Sequence, residues 1–313
     1  MSNKIAICMV VYNEEKNIGR LIERILEDDL RLGKVYIYTD GSTDNTARII
    51  GKFYIKYPSL IVHLEGKKNL GKNHGINVLL NKVGDDYDIL FFLDGDVMPE
   101  KGSLIALYNY LASNTNIKAA SPFFLPYLSD LRGLEKTMAI LYKKSRVHIA
   151  NCNKCRGISG RFYGIRRKAL LKICESSYFD DFYLNLQIPY ESIGLCREAV
   201  VYYRRPSIYR DYIDYNIRLG KAMASIKNNF PDLWKEQLKR VTLNDYALYD
   251  LTKYKFNDFF FGLDFGEKIV FIFTRIITTL CMYYGFYTYR SLEKTWKVLP
   301  TTKIAYLDNG TKN

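Results

Sequence analysis

Apolar and polar positions alternate in two rhythms along the first part of the chain. Residues 5–11 (IAICMVV) form an unbroken apolar run, the pattern of a strand covered on both faces. After Asn13-Glu14-Glu15, apolar side chains recur at Ile18, Leu21, Ile22, Ile25 and Leu26. That spacing marks one face of a helix, with the acids expected in its first turn. Residues 35–38 read as a second strand. Gly41-Ser42-Thr43-Asp44 supplies a turn and a cap for a helix through Ala47, Ile50 and Phe53. Residues 60–64 read as a third strand, followed by a helix carrying Ile76, Leu79 and Leu80. Residues 89–93 read as a fourth strand, and Leu104, Leu107, Tyr108 and Leu111 mark a fourth helix. Such alternation predicts an α/β fold with a mainly parallel sheet flanked by helices.

In such sheets ligands bind beyond the carboxyl ends of the strands. Polar clusters fall there four times: Tyr12-Asn13-Glu14, Asp40-Gly41-Ser42, Asn69-Leu70-Gly71-Lys72-Asn73 and Asp94-Gly95-Asp96. One such cluster alone reads as turn residues and caps; four at corresponding positions point to a shared crevice. The first strand is not followed by G-x-G-x-x-G, and Gly71-Lys72 lacks the rest of a P-loop. Phosphates are therefore not cradled by a glycine-rich loop. Asp94 and Asp96 stand two apart on a tight turn after an apolar strand, where both carboxylates can meet one hard cation, with Gly95 letting the backbone bend. Mg²⁺ typically takes one or two carboxylates together with substrate phosphates.

Charge sharpens this picture. The chain of 313 residues has 46 Lys and Arg against 33 Asp and Glu, a formal net charge of +13. Residues 1–100 carry 13 basic and 15 acidic side chains, whereas residues 131–173 carry 12 basic and one acidic. An almost neutral N-terminal part is joined to a basic middle. Six scattered cysteines and the absence of a signal peptide lead to an expected reducing, cytoplasmic location. Cys152 and Cys155 have the spacing of half a zinc site, but no second pair follows at finger or ribbon spacing.

The ordered set of motifs resembles the family-2 glycosyltransferases of GT-A fold. The matching elements are Val10-Val11-Tyr12-Asn13-Glu14-Glu15, Asp40-Gly41-Ser42-Thr43-Asp44-Asn45-Thr46, and Asn69-Leu70-Gly71-Lys72 with Asn77. Phe92-Leu93-Asp94-Gly95-Asp96 follows, then Gly157-Ile158-Ser159-Gly160 running into residues 164–170, and Phe179-Asp180-Asp181-Phe182-Tyr183-Leu184. The resemblance covers about residues 4–225. It implies a nucleoside-diphosphate sugar donor, a Mn²⁺ or Mg²⁺ ion and an inverting displacement. It implies that Asp40 reads the base, with uracil favoured, that Tyr12 packs on the base, and that Asn13 and Glu14 lie near the nucleotide. Asp94 would face the ribose and the metal, and Asp96 would coordinate the metal. Lys72 falls where the family often places a basic residue near the nucleotide; as a first-turn helix residue it has an equally good structural reading. Asp181 is the implied catalytic base, with Asp180 as the alternative. The two acids also suit a helix start as dipole partners.

The sequence departs from the polymer-making members, whose Gln-x-x-Arg-Trp motif is replaced here by residues 214–221, which keep Arg218 and Lys221. Arg204, Arg205 and Arg218 are candidates for the diphosphate, Arg205 and Arg218 foremost. Residues 133–150 read as a basic amphipathic helix, which suits either an anionic membrane surface or solvent. The acceptor is expected to be a glycan, a lipid-linked phosphate or a protein, and nucleic acid is not expected as a partner. Residues 269–289 are the most apolar stretch, but Arg275 near its middle argues against a span. It reads as a helix packed on the catalytic part or lying on a membrane, with Phe259-Phe260-Phe261 and Trp296 as companions. Peripheral attachment at the cytoplasmic face is the expectation. Residues 1–230 are expected to form the catalytic domain, about 1–100 for nucleotide and about 101–230 for acceptor, with 231–313 a helical, aromatic-rich extension. Oligomeric state stays open. A nucleotidyltransferase of related fold and a non-catalytic binder of anionic membrane or nucleic acid are the rival readings.

Overall fold

The computed structural model describes residues 4–28, 32–129, 131–151, 157–170, 173, 179–206, 208–240, 256–289 and 303. Cys152, Cys155 and Trp296 lie outside the described residues.

The strands are β1 (Ile5–Val11), β2 (Leu32–Asp40), β3 (Ile61–Gly66), β4 (Ile89–Asp94), β5 (Val97–Pro99), β6 (Ala119–Pro126), β7 (Phe162–Arg166) and β8 (Ile193–Tyr203). They form one sheet in the order β3-β2-β1-β4-β7-β6-β8-β5. β1 to β4 pair in parallel, as the alternation predicts. β7 enters antiparallel between β4 and β6, and β5 pairs antiparallel with β8 at the far edge. The turn after β4 therefore leaves the middle of the sheet and reaches its other end.

Helices α1 (Ile18–Glu27), α2 (Thr46–Lys56), α3 (Lys72–Val83) and α4 (Ser103–Ser113) cover the two faces. β1 explains why its sequence is apolar throughout. Ile5, Ile7, Met9 and Val11 pack with Ile18, Leu21, Ile22 and Ile25 of α1. Ala6 and Cys8 pack on the opposite side with Ile76, Leu79 and Leu80 of α3. Full burial of such side chains contributes roughly 1.5–3 kcal/mol each. One expectation needs correcting: α1 begins at Ile18, so Glu14 and Glu15 precede it in a turn and are not in its first turn.

The remaining helices are α5 (Gly133–Asn151), α6 (Asp180–Gln187), α7 (Tyr209–Asn229), α8 (Pro231–Arg240), α9 (Phe256–Phe261) and α10 (Phe265–Thr288). α10 opens with a capping box. Asp264 accepts from the Glu267 amide at 2.8 Å, and Glu267 accepts from the Asp264 amide at 3.2 Å. The same Glu267 binds Lys144 of α5 at 2.5 Å. α10 crosses α7 with backbones nearly touching: a Cβ on Gly285 would collide with the Ile217 carbonyl, and one on Gly220 with that of Met282. Its opposite side is apolar and exposed, at Phe265, Ile269, Phe273, Ile276, Leu280, Tyr284 and Tyr287 among others. By length and composition α10 is long and apolar enough to cross a membrane. One side of it is nevertheless packed on α7 and α5.

Candidate active site

Strand register brings the chemistry together. Val10 lies opposite Asp94, and Val11 opposite Thr39, so β1, β2 and β4 end at one edge of the sheet. β7 runs the other way and starts at that same edge. Its Phe162 pairs with Leu93, and the Asp94 amide donates to the Arg161 carbonyl at 2.8 Å. The loop ahead of β7 and the start of α6 thus join the loops after the parallel strands.

The first two loops are latched to each other. The Asn13 amide donates to Ser42 Oγ at 3.1 Å, and Asn13 Oδ1 accepts from the Thr43 amide at 2.8 Å. The Glu15 amide donates to Asp44 Oδ2 at 3.1 Å, and Glu15 Oε2 accepts from the Asn45 amide at 3.1 Å across the same gap. Asn13 adopts a positive φ of 53°, which Asn tolerates better than most residues. It shapes the loop pair and is not among the side chains lining the cleft.

The cleft opens to solvent. Tyr12, Glu14, Asp40, Lys72, Asp94, Asp96, Asp181 and Arg218 all line it. Asp40 is 2% exposed and takes the Leu70 amide at 3.0 Å and the Gly71 amide at 2.8 Å. Burial raises its carboxyl above the ordinary range, although both amides and His74 pull the other way. Each carboxylate oxygen still has capacity for a second donor.

Lys72 is the hub. Its ammonium is 2.8 Å from Asp94 Oδ1, 3.2 Å from Asp180 Oδ1 and 2.5 Å from the Gly160 carbonyl. Burial opposes that charge, but the carboxylates of Asp180 and Asp94 outweigh it and hold Lys72 above the usual lysine range. Asp180 also accepts from Tyr163 Oη at 3.2 Å and is 1% exposed. Asp181, its neighbour, is half-buried at the cleft wall and accepts from the Gly160 amide at 2.8 Å. Burial raises Asp181 as well, against the pull of that amide and of Lys72. Gly160 is thus held through both its N–H and its carbonyl. A Cβ there would lie 3.1 Å from Asp180 Oδ1 and 3.2 Å from Asp181 Cγ.

The Asp96 end is also acid-rich. Glu14 is 3% exposed and sits beside Asp96, so it belongs to this end of the cleft. Lys303 places its ammonium on Glu14 and 3.5 Å from Asp96 Oδ2. Burial pushes Glu14 up to about 8 despite Lys303, and Asp94 up to about 6 despite Lys72. Gly95 has a steric role: a Cβ would come 2.6 Å from Glu14 Cγ. Among the described residues, no group of three or more His, Cys, Asp and Glu could hold a metal alone. Asp96 and Asp94 are nonetheless hard oxygen donors of the kind Mg²⁺ or Mn²⁺ shares with substrate phosphates. A cationic group already rests at Asp96, so the donor set fits such an ion.

The arginines divide differently from expectation. Arg218 and Arg204 line the cleft, whereas Arg205 does not; it stacks 4.0 Å from the centre of the Tyr142 ring. Sequence reasoning passed over Arg161, which lines the cleft, stacks on Tyr203 and reaches Tyr215 Oη at 3.4 Å. It passed over Lys303 too. The Gly157-x-x-Gly160 stretch was the available signal for Arg161; no local pattern marks Lys303.

Residues 6–174 match the family model described as Glycosyl transferase family 2, more than half of the chain. The β-monoglucosyldiacylglycerol synthase of Synechocystis is 25% identical over 239 residues, covering 67% of this chain and 49% of that protein. The undecaprenyl-phosphate 4-deoxy-4-formamido-L-arabinose transferase of Proteus mirabilis is 28% identical over 98 residues, 30% of this chain and 29% of that protein. The chain thus spans about half or less of the length of these relatives. A mannosyltransferase from Pyrobaculum calidifontis, solved with GDP-Man and Mn²⁺, superposes with a TM-score of 0.64 at 15% identity, covering 92% of this chain and 88% of that one. TarS residues 1–349 from S. aureus give 0.50 at 17% identity, covering 90% and 81%. These likenesses carry the GT-A fold, and with the match over residues 6–174 the chain belongs to glycosyl transferase family 2.

Proposed function

We propose that the protein is a divalent-metal-dependent glycosyltransferase that moves a sugar from a nucleoside diphosphate, UDP favoured, to an acceptor hydroxyl or lipid-linked phosphate with inversion. One observation carries the reading. Lys72 ties Asp94 to Asp180 inside one cleft, leaving Asp96 and Asp181 at its wall. Asp40 accepts the imide N–H of uracil, and Tyr12 packs on the base. Guanine donors also suit a carboxylate, so GDP is the second base to test. Arg218 and Arg204 receive the diphosphate; Arg205 is withdrawn from that role.

Asp96 and Asp94 would hold Mn²⁺ or Mg²⁺, which as a Lewis acid stabilises charge on the leaving diphosphate by several kcal/mol, the order usual for metal catalysis. The acceptor oxygen attacks the anomeric carbon opposite the leaving group. Where the acceptor is a hydroxyl, its proton passes to the Asp181 carboxylate as the bond from the anomeric carbon to the phosphate oxygen breaks, that bond's electron pair leaving with the diphosphate; an ionised phosphate acceptor attacks without that transfer. A general base of this kind supplies typically ~10²–10⁴-fold. The raised pKa of Asp181 makes it a stronger base than a solvent aspartate. Asp180, engaged by Lys72 and Tyr163, positions the hub.

Residues 1–230 form the catalytic unit, and the extension carries α10, whose exposed apolar side lies on the cytoplasmic face of a membrane. The basic helix α5 next to it suits an anionic leaflet. Family membership removes the main support for a nucleotidyltransferase or a non-catalytic binder. The deciding experiment is a melting-temperature screen of UDP, GDP and the other nucleoside diphosphates with and without Mn²⁺, followed by hydrolysis of the matching nucleotide sugars. Stabilisation by UDP that requires Mn²⁺ and vanishes in Asp96→Ala is expected. A chain that no nucleoside diphosphate stabilises sinks the reading.

A further inference from the structure

Lys303 is the sole described residue beyond position 289, and it stands in the cleft. Its side chain is only 25% exposed, and its ammonium lies on Glu14 and 3.5 Å from Asp96. Glu14 has one other side-chain partner shown here, Asn17 Nδ2 at 3.5 Å, so Lys303 is its principal counter-charge. A buried carboxylate needs such a partner, because an unpaired charge away from water is strongly disfavoured. The contact joins residues 289 apart in sequence and belongs to no helix or sheet pairing.

The groups around Lys303 bear on what happens when the cleft fills. Glu14, Asp94 and Asp96 bring three carboxyl groups to this end, against the ammonium groups of Lys72 and Lys303. A divalent ion on Asp96 would take the carboxylate that the ammonium now approaches. The ammonium would then face a cation. The incoming diphosphate offers it oxygens at the same place, and an ammonium is an effective point-charge partner for phosphate.

We propose that Lys303 is a donor-binding residue whose ammonium rests on Glu14 and Asp96 in the empty cleft and turns to the diphosphate oxygens when ion and donor bind together. The inference rests on the nucleoside-diphosphate reading above. It assigns to the C-terminal segment a part of the donor site that lies outside the family-matched residues 6–174. It also makes Lys303 a competitor of the ion in the absence of nucleotide.

The test is calorimetric titration of the full chain with Mn²⁺ alone, with UDP or GDP in Mn²⁺, and with uridine or guanosine as controls. Lys303→Ala and Lys303→Gln are expected to weaken the diphosphate by about 10-fold or more, the scale of one hydrogen bond to a charged group. Nucleoside binding stays unchanged, and Mn²⁺ alone binds more tightly than in the wild type. Lys303→Arg retains most of the diphosphate affinity. The glutamine variant keeps a polar partner for Glu14 should the alanine variant fold poorly. Equal diphosphate affinity in wild type, alanine and glutamine variants overturns the inference and leaves the ion pair a latch. A wild-type chain that binds no diphosphate with Mn²⁺ overturns the donor reading and this inference with it.

Discussion

The cleft has two acid pairs, and they are built alike. At one end stand Asp94 and Asp96 after β4; at the other stand Asp180 and Asp181 at the start of α6. In each pair one member is tied to Lys72, and the other is left to the cleft wall. The ends differ in what engages the outer acid. Asp96 faces an ammonium from the far end of the chain, whereas Asp181 is held by backbone amides of Gly160 and Phe182. An ammonium on a long side chain can yield to a cation, whereas a peptide N–H stays; under the proposed mechanism it would hold in place the carboxylate that meets the acceptor. The same residue type thus meets a side-chain ammonium at one end and backbone amides at the other.

Breaking the shared hub gives the largest effect. Lys72→Met leaves Asp94 and Asp180 buried without their cation and should cost about 3–5 kcal/mol in unfolding free energy, read by denaturant titration. A melting curve like that of wild type would mean the two pairs are independent. Next comes the outer acid of the second pair. Asp181→Asn should lower turnover by ~10²–10⁴-fold with UDP–Mn²⁺ affinity nearly unchanged. In the wild type the acidic limb of the pH–rate profile should lie above the ordinary aspartate range. Burial raises Asp181, and the base works only when deprotonated, so activity is lost as pH falls through that raised pKa. Wild-type turnover in the asparagine variant would remove Asp181 from the chemistry. A smaller effect follows from Gly160→Ala, whose methyl presses on both Asp180 and Asp181. Overpacking costs roughly 1–3 kcal/mol, so turnover should fall about tenfold while Mn²⁺ affinity at Asp96 holds. The smallest concerns neither pair: Leu280→Glu together with Phe273→Glu should abolish sedimentation with anionic vesicles and leave diphosphate binding untouched.

The parallel half was legible because each element buries a repeating face. β1 is apolar at every position since both its sides are covered, and α3 and α4 keep their apolar stripe. Asp40, Asp94 and Asp96 were legible as polar residues at strand ends. β6 was missed because Pro122 and Pro126 break a strand signature. β8 was hidden by Arg197 and Glu198, which fall where its pairing with β6 shifts register. Lys72 read equally as a nucleotide contact and a helix residue; its clamp between two acids 86 positions apart depends on β4 and α6 meeting. Arg204 and Arg205 could not be told apart, because period-2 reasoning ends where the strand ends at Tyr203. Lys303 was invisible, as its partners are fixed only by tertiary folding.

The glycine crossing of α7 and α10 has a mechanical consequence. With no side chain between the backbones at Gly220 and Gly285, there is no layer of rotamers to absorb a displacement. Ile217, whose carbonyl meets Gly285, is followed by Arg218 in the cleft. A push on the exposed side of α10 is therefore delivered stiffly, peptide against peptide, to the residue beside Arg218. Whatever supports that outer surface would thus bear on the peptide that carries Arg218 into the cleft.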